Sequence, residues 1–325
     1  MTPSKLIMNH QIHFKPISHS WIAIHPEPKG IIQFIGGAFF GSFPTLFYRY
    51  LLGEIFSAGY TIVALPFKFS FRHWPIAIEL LKEQEIIREE LLGMKLSNDD
   101  KSHSSVIYQD RSKYFWIGHS LGCKYITLLE FLSADKSRLQ DIANESEYAA
   151  LSYPVKEIEA IIEQVELKKA SILNQPSLLI APDISNTNSA IPIQAIANFI
   201  DRIGCGVQPD RKQTQFLIKR SNLFNLTGLI SFNRDTIAGS ITDENKNKKI
   251  RENSDVLWFF KYLQSRNQPI LHQETHGKHL EPIGQQIGNY VVDLNPCDKF
   301  IELLKKRQLE EITLRFLKEL NQRNT

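Results

Sequence analysis

Gly118-His119-Ser120-Leu121-Gly122 is a G-x-S-x-G pentapeptide, fed by the apolar run Tyr114-Phe115-Trp116-Ile117 and followed by the helix-periodic stretch Cys123 to Glu130. A strand that turns sharply into a helix leaves a serine at the apex with its Oγ exposed. Glycines flank it because a Cβ there would meet the neighbouring strand and helix. The pentapeptide alone is a weak signal, and an ordinary turn serine is the competing reading. Aromatic and β-branched residues before it and helical periodicity after it favour the elbow.

A serine hydroxyl is a poor nucleophile at neutral pH. It needs an imidazole to take its proton and a carboxylate to orient that imidazole. Both follow Ser120 in chain order: Asp235 directly after the strand-like run Thr227 to Phe232, and His279 just past the last apolar run. Asp183, after the run Ser177 to Ala181, is the rival acid, and Asp235 could instead cap the turn that follows it. His272 and His276 compete with His279; the first is expected inside the last strand and the second at its very end. His119 is expected to pack within the elbow.

Acyl transfer also needs two donors for the developing oxyanion. The amide of Leu121 is one candidate. Ala38 or Phe39 is the other, in a loop where Gly36 and Gly37 free the backbone. That loop lacks G-x-G-x-x-G spacing, and the next strand-like run ends in Leu65-Pro66 with no acid for a ribose, which argues against a dinucleotide. Phe39, Phe40 and Phe43 are either an apolar segment seeking the core or the wall of a substrate pocket.

The elements that must position these groups alternate between strand and helix. Trp21 to Ile24, Gly30 to Ile35, Tyr60 to Leu65, Tyr114 to Ile117, Ser177 to Ala181, Thr227 to Phe232 and Pro269 to Gln273 read as strands. Helices are expected from Pro44 to Phe56, from Pro75, from Ser254 to Gln264 and from Pro296 to Leu320. Ser97 to Ser112 reads as an exposed polar excursion, and no internal repeat is visible. The fold class is therefore α/β, a doubly wound, mainly parallel sheet covered on both faces. A helical cap insertion is expected over about 184–222, with a contribution from 136–175, in one domain spanning 1–325.

With 325 residues, 42% hydrophobic and 22% charged, the chain can bury one large core. Net charge is +3, and the only dense basic run, Lys246, Lys248, Lys249 and Arg251, lies in a polar stretch that reads as a solvated loop. Nucleic acid is therefore not expected as a partner. Cys123, Cys205 and Cys297 are odd in number and far apart, so neither disulfides nor a zinc site is implied. Residues 1–20 lack a secretory apolar core, and no run is long enough to span a membrane. These features point to a cytoplasmic protein with no cofactor and no metal, with room for peripheral membrane contact.

Ser120, Asp235 and His279 together resemble the α/β-hydrolase superfamily. More narrowly, five stretches resemble a family of α/β-hydrolase-like proteins of cyanobacteria and plastids known only as a domain of unknown function. They are GGAFFGSFPTLFYRYLL (36–52), FRHWPIAIELLKEQ (71–84), YFWIGHSLGCKYITLLEFLS (114–133), SLLIAPDIS (177–185) and GKHLEP (277–282). The resemblance implies the fold and assigns no reaction. Ala238-Gly239-Ser240 and Thr242 to Asn253 depart from it and look like an insertion beside the acid.

The expected function is a serine hydrolase that cleaves an ester or thioester of an apolar acyl group through an acyl-enzyme. The alternative is a non-catalytic protein that uses the same fold and the aromatic rim to hold a lipid, pigment or protein partner. A cofactor-free lyase or acyltransferase would use the same residues.

Overall fold

A computed structural model describes residues 12–96, 103–134, 170–184, 207–221, 226–266, 269–293 and 301–324. The chain enters through an antiparallel hairpin, β1 (Lys15–Ile17) and β2 (Ser20–Ala23). Six strands follow: β3 (Gly30–Ile35), β4 (Tyr60–Ala64), β5 (Tyr114–His119), β6 (Ser177–Ile180), β7 (Thr227–Phe232) and β8 (Leu271–Thr275). They form one eight-stranded sheet in the order β1-β2-β4-β3-β5-β6-β7-β8. All pairings from β4 to β8 are parallel, and β2 joins β4 antiparallel. The carboxyl ends of β3, β5, β6, β7 and β8 therefore open on one edge, where loops can converge.

Alternation within the strands feeds two cores, because successive side chains point to opposite faces. Ile31, Ile35, Val63, Trp116, Leu179 and Leu229 pack on one face against α3 (His73–Leu96) and α5 (Leu121–Leu132). Ile32, Phe34, Ile62, Ile117, Ile180 and Ile230 pack on the other, against α2 (Arg49–Ser57) and the terminal helix, here α9 (Leu309–Arg323). Trp116 is fully buried, and truncation to alanine should cost about 3–5 kcal/mol.

Several elements differ from the sequence reading. The helix expected over 44–56 is broken into α1 (Pro44–Phe47) and α2, with Tyr48 at the join in a non-helical conformation, φ −105° and ψ 20°. Part of the polar excursion is a helix, α4 (His103–Gln109), pinned by buried Ile107 and by Tyr108, whose hydroxyl pairs with Thr61. The last core strand lies two residues later than expected. The basic stretch forms a short helix, α7 (Lys248–Asn253), ahead of α8 (Asp255–Gln264).

Within the helix expected over Pro296 to Leu320, residues 301–303 are strand, and 296–300 lie outside the described residues. β9 (Gln285–Ile287), β10 (Tyr290–Val292) and β11 (Ile301–Leu303) make a small antiparallel sheet, and α9 begins only at Leu309. The signal was present: Gly288-Asn289 is a hairpin dipeptide, and Gly288 takes φ 59°. Of the segments expected to form the cap, 136–169, 185–206 and 222 lie outside the described residues. α6 (Arg211–Arg220) lies within that region and packs on α5, adding Phe216 and Leu217 to the core. No helix among the described residues is long and apolar enough to cross a membrane.

Candidate active site

Ser120 sits between β5 and α5 with φ 54° and ψ −122°, left-handed backbone that a side chain rarely adopts. The elbow glycines have the steric role the sequence assigns them. A Cβ on Gly122 would lie 2.1 Å from the Ile35 carbonyl oxygen, and one on Gly118 would lie 2.9 Å from the Cys123 nitrogen. Two other non-glycine residues at this sheet edge share positive φ: Phe39 at 60° and Ala181 at 46°. At Phe39 the chain makes a γ-turn, closed by the Phe40 amide donating to the Ala38 carbonyl at 2.7 Å. Strain of this kind gathers where loops are held for function.

His279 is brought to the serine by the loop after β8, which is stitched to the loop after β7. The Asn233 amide donates to Thr275 O at 3.0 Å and the Arg234 amide to Gly277 O at 3.1 Å. Asp235 and His279 thus arrive side by side. His279 Nε2 lies 2.8 Å from Ser120 Oγ, and its Nδ1 lies 2.8 Å from Asp235 Oδ2. The other carboxylate oxygen accepts from the amides of Ile237 and Ala238 at 2.8 and 2.9 Å. Asp235 therefore does cap its turn and also meets the imidazole. All three residues are buried.

Since Asp235 offers only acceptors, Nδ1 carries the proton and Nε2 is left to accept from the serine hydroxyl. Burial pulls the His279 pKa down, but the charge and hydrogen bond of Asp235, with a further contribution from Asp183, raise it above the ordinary value of 6.5.

The competitors make other contacts. Asp183 lines the same cavity as Ser120, and its amide donates to Ser120 O at 3.3 Å; Asp235 takes the hydrogen bond to Nδ1. His272 is inside β8, paired with Ser231 Oγ at 3.0 Å. His276 follows β8, exposed, with Arg234 Nη1 at 3.5 Å.

A cavity of about 170 Å³ opens over the serine. Ala38, Phe39, Phe40 and Leu121 line it, as the sequence suggests, together with Phe69, Phe71 and Val207. Phe43 does not; it caps α1 on the outer surface, 64% exposed. Phe69 and Phe71 were missed, although Phe67, Phe69 and Phe71 alternate along an extended stretch directly after β4. Phe39 stacks on Phe69 with ring centroids 4.4 Å apart.

In the loop after β3, the Gly37 amide is taken by Tyr48 Oη at 2.7 Å and the Phe40 amide by Ala38 O. The amides of Ala38, Phe39 and Leu121 have no hydrogen-bond acceptor among the described residues. Opposite this loop, buried Lys124 donates to Pro209 O at 2.6 Å and so anchors the segment bearing Val207. Burial pulls the Lys124 pKa down to about 8 against the pull of Asp183, Asp255 and Asp210.

Residues 13–321 match the model of a family described as "Protein of unknown function (DUF1350)". None of the curated proteins matches the chain. Among solved structures it is similar to the carboxylesterase Cest-2923 from Lactobacillus plantarum WCFS1, at 13% identity and TM-score 0.53, covering 95% of this chain and 97% of that one. It is also similar to esterase B from Lactobacillus Rhamnosis (HN001), at 10% identity and TM-score 0.51, covering 97% and 88%. At such identities the likeness speaks for the fold alone. The strand order and these neighbours make the fold that of the α/β-hydrolases, and the match over 13–321 makes the chain a member of the DUF1350 family.

Proposed function

We propose that the protein is a serine hydrolase that cleaves esters or thioesters of short apolar acids. The observation that carries this reading is the unbroken chain Ser120 Oγ, His279 Nε2, His279 Nδ1, Asp235 Oδ2, with each contact at 2.8 Å.

Ser120 Oγ attacks the acyl carbon while its proton passes to His279 Nε2. The oxyanion is met by the amides of Leu121 and of Ala38 or Phe39. The carbon–oxygen or carbon–sulfur bond breaks, and the leaving group takes the proton from Nε2. Water then gives a proton to Nε2 and its hydroxide to the acyl carbon; the acyl carbon–Oγ bond breaks, and Oγ takes the proton back from Nε2, which frees the acid and restores the serine. Asp235 stabilises the imidazolium at both stages. The aromatic wall accepts the acyl chain, and about 170 Å³ is close to the space that takes a benzene-sized group, roughly six heavy atoms.

A fluorophosphonate probe tests the reading. Stoichiometric labelling of the native protein, lost in Ser120→Ala, is expected. A native protein that stays unlabelled and retains a bound apolar ligand intact would instead be a binding protein on the same fold.

A further inference from the structure

Tyr48 and His119 occupy the space between the oxyanion loop and the catalytic histidine, and neither has a part in the reaction above. Tyr48 Oη lies 2.7 Å from the Gly37 amide and 2.8 Å from His119 Nδ1. His119 Nε2 lies 2.8 Å from the carbonyl oxygen of His279. Both side chains are fully buried, so each of these polar atoms must find its partner inside the protein.

The direction of every bond is fixed. A carbonyl only accepts, so His119 Nε2 carries a proton and donates to His279. In the neutral ring Nδ1 then accepts, so the Tyr48 hydroxyl donates to it. An amide only donates, so Gly37 N–H gives its proton to Tyr48 Oη. Burial, with the nearby His279, holds His119 neutral by bringing its pKa down to about 3.

We propose that Tyr48 and His119 are positioning residues, a buried hydrogen-bonded strut that fixes the oxyanion loop at Gly37 relative to the backbone of His279. The two halves of the machinery sit on separate loops, after β3 and after β8, so their spacing must be set by something between them. The strut does this at the point where Gly37 already presses on the nucleophile, since a Cβ there would stand 3.0 Å from Ser120 Cβ. The break between α1 and α2 also gains a purpose, because it is at Tyr48 that the helix is interrupted. His119, read from the sequence as packing, becomes the link between base and oxyanion loop. The consequence for catalysis rests on the serine hydrolase reading; the bonding pattern does not.

Nitrogen NMR of protein labelled in its histidine rings tests the pattern without any substrate. His119 should be the Nε2–H tautomer with Nδ1 unprotonated near neutral pH. The Nδ1–H tautomer would overturn the strut, because its Nε2 could not donate to a carbonyl.

The rate of fluorophosphonate labelling then tests the role. Tyr48→Phe keeps the ring, which packs against Phe34 at 4.7 Å, and removes only the hydroxyl. It should slow labelling about tenfold, as one lost buried hydrogen bond would. His119→Asn can place an oxygen near the Nδ1 position but no donor near His279, and should slow labelling more. His119→Gln restores a donor at the Nε2 position and should recover part of the rate, with KM for a short-chain ester little changed throughout. Native rates in folded Tyr48→Phe and His119→Asn would refute the role, as would equal losses in the asparagine and glutamine variants. If the native protein itself fails to react, the hydrolase reading falls, and the tautomer still decides the strut.

Discussion

Gly122 stands so close to Ile35 that a β-carbon on it would lie 2.1 Å from the Ile35 carbonyl oxygen and 2.7 Å from that of Gly36. Both obstacles are backbone at the end of β3, which cannot rotate aside. The elbow helix is therefore seated directly on the strand whose loop bears Ala38 and Phe39, the proposed oxyanion donors.

Gly122→Ala should destabilise the protein by about 3 kcal/mol or more, at the upper end of overpacking effects. Gly37→Ala, whose new carbon would meet only side-chain atoms at 3.0 Å and beyond, should fold more readily and lose activity instead. Denaturant melts set beside labelling rates separate the two; a Gly122→Ala protein as stable as the native one would contradict the packing argument.

Asp235→Asn should lower kcat by roughly 10⁴-fold, because an amide that donates to the imidazole leaves it in the wrong tautomer. Asp183 contributes to His279 by its charge, and less than Asp235 does, so Asp183→Asn should cost less than about tenfold. Steady-state kinetics of the two variants check this ranking. The reverse order would make Asp183 the working acid.

The reaction needs Nε2 of His279 unprotonated, so kcat/KM should rise with pH through the pKa of that ring. Burial lowers this pKa, while Asp235 and Asp183 together raise it above 6.5. The midpoint of the acid limb should therefore lie above pH 6.5, and Asp183→Asn should move it to lower pH. A pH–rate profile for the native protein and this variant reads both.

Stability should also fall on the acid side, here through His119, whose pKa is shifted down rather than up. Its folded-state pKa, about 3, is below the ordinary value of 6.5, so the unfolded chain binds the proton first. Stability from this group is full above pH 6.5 and falls as pH drops towards 3, at up to about 1.4 kcal/mol per pH unit. Melting His119→Gln and native protein across that range should show a flatter acid limb in the variant.

Acyl chains of about six carbons or fewer should be preferred over long ones, since the cavity is close in volume to the space a benzene-sized group takes. Phe39→Ala removes one of the paired rings on its wall and should shift the preference to longer chains. A series of p-nitrophenyl esters measures this through kcat/KM.

The strand order of the chemistry was legible in the sequence. Parallel strands must present their carboxyl ends on one edge, so a serine after one apolar run and an acid and a histidine after later ones are bound to lie near each other. Gly30 to Ile35 and Thr227 to Phe232 have the same bounds in the structure, because mostly apolar runs bounded by glycine or polar residues allow little else. Their places after the serine and after the first central strand likewise put Leu121, Ala38 and Phe39 on the wall of the cavity.

What it could not decide were choices made between distant segments. Asp235 rather than Asp183 meets His279 Nδ1 because the loops after β7 and β8 are hydrogen-bonded to one another, and no local pattern encodes that pairing. Phe43 looks like its aromatic neighbours in sequence, yet the turn over Phe40–Ser42 leaves it in solvent. Tyr48 lies within an apolar helical pattern, and only tertiary contacts with Gly37 and His119 explain why the helix breaks there. Propensity acts over a few residues, whereas burial obliges each polar atom to find a partner wherever the fold brings one.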